Sequence, residues 1–121
     1  VDPKPNLVLI VLDTVRFDRT SLPLLAAPAE PIGPAGVRDT TPFLASLARD
    51  GVTFVQARSP AEWTLPAHAS LFTGMLPSEH GCHFEHRYLA GEVLTIAESL
   101  KEDDYATAAF SSNGNAPSCH T

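Results

Sequence analysis

The sequence has little of what marks a membrane-spanning, nucleic-acid-binding or disulfide-built protein. Its longest uninterrupted apolar run, residues 7–12, is six residues long, against the roughly 20 a membrane-spanning helix needs, so no transmembrane segment is expected. Basic residues are scarce: 8 Lys and Arg against 14 Asp and Glu leave a net charge of −6. That balance opposes general attraction to nucleic acid or anionic lipid and leaves room only for a local anion site. Two cysteines, Cys82 and Cys119, allow at most one disulfide and match no zinc or thioredoxin spacing, so compartment and localisation stay open. Charged residues make up only 18% of a chain that is 44% hydrophobic, which excludes disorder as the main state. A length of 121 residues suffices for one domain with a single core. No internal repeat is present. The chain opens at Val1 with neither Met nor a basic-then-apolar leader, so no signal peptide is read; a removed leader or a start inside a longer protein is expected. Ser118-Cys119-His120-Thr121 follows a polar Asn-Gly-Asn-Ala-Pro stretch with no closing helix or strand, and reads as a stop partway through a larger unit.

What is present is an alternation of apolar runs and short helical patterns. Asn6-Leu7-Val8-Leu9-Ile10-Val11-Leu12 is apolar at nearly every position and ends sharply at Asp13. The pattern suits a strand buried on both faces; a buried helix competes, but six residues is short for one. Residues 21–38 carry four prolines and two glycines and read as a proline-rich insertion loop. Thr41-Pro42 reads as an N-cap with proline at the first helical position, and Gly51 as a left-handed terminator, with Phe43, Leu44, Leu47 and Ala48 on one face for packing on a sheet. Residues 52–57 have strand composition. Pro66 is placed to open a helix running to Gly74, with Thr64 at its mouth, and residues 77–91 read as irregular. Thr95 and Glu98 form a capping-box pattern for a helix through Lys101, with Ile96, Ala97 and Leu100 inward. Residues 105–110 read as a third buried strand. The order predicts an α/β fold, a mostly parallel sheet flanked by helices.

In open parallel sheets ligands bind beyond the strand carboxyl ends, where Asp13, Thr64 and Asn113 fall. A carboxylate leaving an apolar strand suits a divalent cation, and equally a helix cap or a partner for Arg16. A hydroxyl at a helix N-terminus meets backbone N–H groups and the positive end of the helix dipole, which favour an alkoxide and an incoming anion. Thr64 is therefore a candidate nucleophile as well as a candidate helix cap. His68, one helical turn on, reaches the same face and could touch the same anion, or be a packed or solvated histidine. His80, His83 and His86 are three apart twice, but Gly81 and nearby prolines argue against a shared helix face. One ordered histidine in a solvated loop is expected ahead of a zinc cluster. Arg16, Asp18 and Arg19 read as a salt-linked surface start, and Asp103-Asp104 as a charged helix end and turn.

Taken together, residues 5–16, residues 41–48 and Thr64-Leu65-Pro66-Ala67-His68-Ala69-Ser70-Leu71-Phe72-Thr73-Gly74 resemble the N-terminal part of the sulfatase-like family of the alkaline phosphatase superfamily. The similarity extends over 77–81 and 94–113 and covers most of the chain outside the insertion. The resemblance implies that residues 1–121 are the N-terminal portion of an alkaline-phosphatase-like catalytic domain, incomplete by itself and inactive alone. In sulfatases proper the third motif reads Cys-x-Pro-Ser-Arg, and its Cys becomes the formylglycine nucleophile. Thr64, Ala67 and His68 stand at the Cys, Ser and Arg positions, so formylglycine cannot form there. The chain is more similar to the threonine-nucleophile branch of phosphodiesterases, phosphonate hydrolases and phosphoethanolamine or glycerol-phosphate transferases. Asp13 is followed by Thr14 instead of a second Asp, which implies a different metal arrangement.

The resemblance implies a metal-dependent hydrolase or transferase acting on small-molecule or lipid-linked phosphate or sulfate esters. Thr64 would attack in line to form a covalent ester, Asp13 and Thr64 would hold a divalent ion (zinc or manganese ahead of calcium), and His68 with the helix mouth would neutralise developing charge. The remaining metal ligands belong to a later part of the family's domain. The competing expectation is a truncated, non-catalytic remnant or binding module of the same fold. An exposed sheet edge or apolar face is expected on the C-terminal side, to be covered by further chain or by an oligomer.

Overall fold

The computed structural model describes residues 4–25 and 39–112. It divides into two compact units, Val1–Ala57 and Arg58–Thr121. Asn113, Cys119, His120 and residues 26–38 of the proline-rich loop lie outside the described residues.

In the first unit, residues 7–12 carry no regular secondary structure and are exposed throughout, Val8 at 82% and Ile10 at 74%. A tight turn follows, closed by the Val15 amide on the Leu12 carbonyl, with Thr14 in the left-handed region at φ 62°. Two 3-10 turns, Phe17–Arg19 and Leu22–Leu25, lead to helix α1, Pro42–Asp50. The proline-rich segment is fastened at both ends. The Ser21 amide donates to Thr41 Oγ1 at 2.8 Å, the Thr41 amide donates to Ser21 Oγ at 2.7 Å, and the Ser21 hydroxyl donates to Asp39 Oδ1 at 2.7 Å. Ser21 is fully buried, so these bonds satisfy polar groups that burial would otherwise leave costly. Thr41 is thereby engaged across the loop and makes no side-chain cap bond on α1. Gly51 ends α1 in extended backbone, φ −127° and ψ −158°, not in the left-handed conformation its position suggests. Ala45 is the buried residue of α1, while Phe43 and Leu47 stay exposed. Of the face expected to pack on a sheet, Phe43 and Leu47 are exposed while Leu44 and Ala48 are half-buried.

The second unit is built on helix α2, Thr64–Thr73, with α3, Pro77–His80, and α4, Ile96–Glu102, packed against it. α2 starts two residues before Pro66, which occupies its first turn where a missing N–H removes no helical bond. Gly74 terminates it at φ 71°, left-handed as its position suggests. The single turn α3 interrupts a segment expected to be irregular: Pro77 pre-sets its first residue and Gly81 closes it at φ 67°. Leu65, Ala69 and Cys82 form the buried cluster, with Leu89 partly buried against it. α4 carries the complete capping box, but its Ile96 and Ala97 are exposed and Leu100 is only partly buried.

The expectation of a mostly parallel sheet is overturned. Among the described residues there are helices and turns but no strand. Residues 7–12, 52–57 and 105–110 have strand composition, yet a strand exists only through the backbone ladder it makes with a neighbour, and none is formed. A parallel sheet also needs both faces covered. The described residues bury four hydrophobic side chains, Ala45, Leu65, Ala69 and Cys82, too few to cover either face.

Candidate functional site

Thr64 is the first residue of α2, half-buried at its N-terminal mouth. Trp63 is the N-cap and supplies no side-chain cap bond. The Ala67 amide makes the first intrahelical bond, to the Trp63 carbonyl at 3.3 Å, so the amides ahead of it line the mouth. Neither an acidic nor a basic residue occupies that first turn, leaving the helix dipole uncompensated from within. The hydroxyl thus sits in a positive local field, the environment that stabilises an alkoxide and draws an anion.

His68 stands four residues on, on the same helical face. It is half-buried, with its ring edge on Phe72 at a centroid distance of 6.1 Å and an angle of 64°. Thr64 and His68 are therefore brought together on one element. Asp13 belongs to the other unit, exposed on the Leu12–Val15 turn. Arg16 pairs with Asp18, two bonds of 2.9 and 2.7 Å, so the salt-linked start expected after Asp13 is present. Each partner's pKa moves as the pair requires. The hydrogen bond to Asp18 raises Arg16, and the bond from Arg16 holds the Asp18 carboxyl below the usual range.

The three loop histidines part company. His80 is buried: its Nδ1 accepts the Cys82 amide at 3.0 Å, so Nε2 carries the proton and donates to Ser70 Oγ, also at 3.0 Å. Both nitrogens are used by the fold, and His80 has no lone pair left for a metal. His83 and His86 are exposed, their rings 4.9 Å apart, and their backbones bond each other. Among the described residues no three His, Cys, Asp or Glu side chains converge as a metal-ligand group. The Ser70–His80 pairing was not legible in the sequence, because ten residues and a glycine-closed turn separate the two. Cys82 beside it is a free buried thiol whose pKa is pushed up by burial, so it stays protonated and unreactive.

One further group adjoins the α2 mouth. Trp63 lies 6.4 Å from Phe84, ring to ring, and Phe84 carries the Arg87 guanidinium over its face at 5.1 Å.

Comparison with known proteins supplies the family. The Sulfatase pattern matches residues 5–119. An ulvan-active sulfatase of Formosa agariphila is 35% identical over 106 residues, which is 87% of this chain and 18% of that protein. A second protein of the same description and organism is 29% identical over 65 residues, 54% of this chain and 13% of its own length. The chain spans less than a fifth of either relative. No solved structure matches. With the family pattern running over nearly all of its length, and Asp13 and Thr64 inside the matched region, the chain belongs to the sulfatase family.

Proposed function

We propose that the chain is the N-terminal portion of a catalytic domain that hydrolyses sulfate esters, or transfers the closely similar phosphoryl group, with Thr64 as nucleophile. One observation carries this reading: Thr64 occupies the first position of α2, at the place in the motif where sulfatases carry the cysteine that becomes formylglycine. Thr64 Oγ attacks sulfur or phosphorus and forms an ester as the bond to the leaving alcohol oxygen breaks. That oxygen takes up a proton and departs as the alcohol. Water, or an acceptor alcohol in a transferase, then attacks the same centre, breaks its bond to Oγ and restores the threonine. The α2 mouth and His68 hold the non-bridging oxygens and stabilise the charge that accumulates on them.

Asp13 and Thr64 each offer oxygen, the donor type that manganese and calcium accept, and each is by the family motif a residue that could contribute to holding a divalent ion. Such an ion, when bound, lowers the pKa of the attacking hydroxyl and polarises the ester. Family membership supports the sulfate ester, and ulvan, named in the description of both relatives, is the first substrate to try. Thr64→Ala in the full-length protein should lower turnover of sulfate and phosphate esters by about 10⁴-fold or more, measured as released alcohol. Near wild-type turnover in that variant would remove Thr64 from the mechanism. The alternative, a non-catalytic module, predicts no turnover in the full-length wild type.

A further inference from the structure

We propose that His83 and His86 together bind one divalent transition-metal ion of the class that prefers imidazole: zinc, nickel or copper. The site uses neither Asp13 nor Thr64 and stands independently of the catalytic reading. The His83 amide donates to the His86 carbonyl at 2.9 Å, and the His86 amide donates back to the His83 carbonyl at 3.1 Å. Residues that exchange both bonds stand directly opposite each other with their side chains on one face, and the two rings accordingly meet with centroids 4.9 Å apart. The turn is also fastened at its feet. Cys82, next to His83, is buried in the cluster with Leu65 and Ala69, and Leu89, three residues past His86, packs partly buried against the same cluster. The pair is therefore held in place by backbone and core, so little further ordering is lost when a ligand joins the two rings.

The spacing suits one shared ion. With an imidazole nitrogen about 1.15 Å from its ring centroid and a zinc–nitrogen bond of about 2.0–2.1 Å, two rings on one ion at about 90–110° stand with centroids about 4.5–5.2 Å apart. The 4.9 Å separation falls inside that span. Both side chains are exposed, so the 63° between the ring planes adjusts by side-chain rotation with no movement of the backbone. His83 Nδ1 accepts the Glu85 amide at 3.3 Å, which makes that lone pair the one an ion would take. The bond is long and exposed, and water can accept the amide in its place; His80, whose two bonds are buried, has no such exchange open to it. The His86 ring has no hydrogen-bond partner among the described residues. Glu85 and Arg87 flank His86 with opposite charges that offset each other, and all three line an open groove with room for water at the remaining coordination positions.

Calorimetric titration of the 121-residue chain with zinc chloride tests the site. The double variant His83→Ala, His86→Ala should bind one zinc fewer than the wild type, and either single variant should hold that zinc about tenfold or more weakly. Both side chains are exposed, so folding is retained and is checked by circular dichroism. In NMR spectra the ring signals of His83 and His86 should shift together as zinc is added, while those of His68 and His80 stay in place. Calcium chloride, whose ion takes oxygen donors, should give the same heats in the wild type and the double variant. Asp13→Ala and Thr64→Ala should leave the histidine-dependent zinc in place. Three results would overturn the site: a double variant that binds as much zinc as the wild type, a shift of one ring without the other, or a single variant that keeps wild-type affinity. Loss of the same zinc in Asp13→Ala or Thr64→Ala would equally refute a site made by the two imidazoles alone.

Discussion

At the residue scale, the least comfortable backbone lies beside the proposed metal ligand. Thr14 sits at φ 62°, a region that costs an L-residue roughly 1–2 kcal/mol and suits a β-branched one least. Glycine would relieve that strain but lose about 0.5–1 kcal/mol of its own in backbone entropy. Thr14→Gly should therefore raise stability by between zero and about 1.5 kcal/mol in a thermal melt. His80 makes the opposite case, a titratable side chain spent on structure. His80→Ala orphans the Cys82 amide and the Ser70 hydroxyl, and should destabilise the second unit by about 1–3 kcal/mol in a denaturant titration. Composition could not separate His80 from His83 and His86. Only the burial of α3 against α2 decides that His80 is the ordered one.

At the element scale, local chemistry predicted the cap of α4 and the close of α2 at Gly74, but neither the extended backbone at Gly51 nor the single turn α3. The Thr95–Glu98 box is present in full: the Glu98 amide reaches Thr95 Oγ1 at 3.3 Å, and the Glu98 carboxylate accepts the Thr95 amide at 2.8 Å and hydroxyl at 2.7 Å. Those bonds, the side-chain one foremost, hold the Glu98 carboxyl below its ordinary value. Because the folded pKa is the lower one, the cap's contribution is complete above the unfolded value, about 4.3, and is lost as pH falls through the folded value. Amide shifts of α4 followed by NMR between pH 6 and pH 2 (roughly the span of carboxylate titration) should show this fraying, and Glu98→Gln should flatten it. The other end of α4 is a Schellman closure. The Tyr105 amide bonds the Leu100 carbonyl, the Asp104 amide bonds Lys101, and Asp104 holds φ 61°. Asp104→Gly should stabilise α4 by up to about 1 kcal/mol, readable in the same melt. The Thr41 cap failed for a reason no local pattern contains: its hydroxyl is taken by Ser21, twenty residues away.

At the scale of the whole molecule, the apolar segments are out of balance with the core. Leu7, Val8, Leu9, Ile10, Val52, Phe54 and Phe110 are all more than half exposed, and such a concentration of surface hydrophobics favours association. Ile10→Lys should cost under about 0.5 kcal/mol in this chain, as a surface substitution does, and should lower its self-association in sedimentation measurements. A buried strand at that position would instead lose several kilocalories.

What the sequence determined by itself depends on a few neighbouring residues, although Gly51 and α3 show that not every local signal was read correctly. The helices at 42–50, 64–73 and 96–102, the left-handed close at Gly74, the capping box, the Arg16–Asp18 pair and the family motifs around Asp13 and Thr64 all rest on interactions within one or two turns. Tertiary structure alone decided which histidine is buried, what holds the ends of the proline-rich loop, and whether apolar runs become strands. A helix completes its hydrogen bonds within its own segment, so its signals are local. A strand and a buried polar pair complete theirs with groups far along the chain, and the sequence around them is silent about who those partners are.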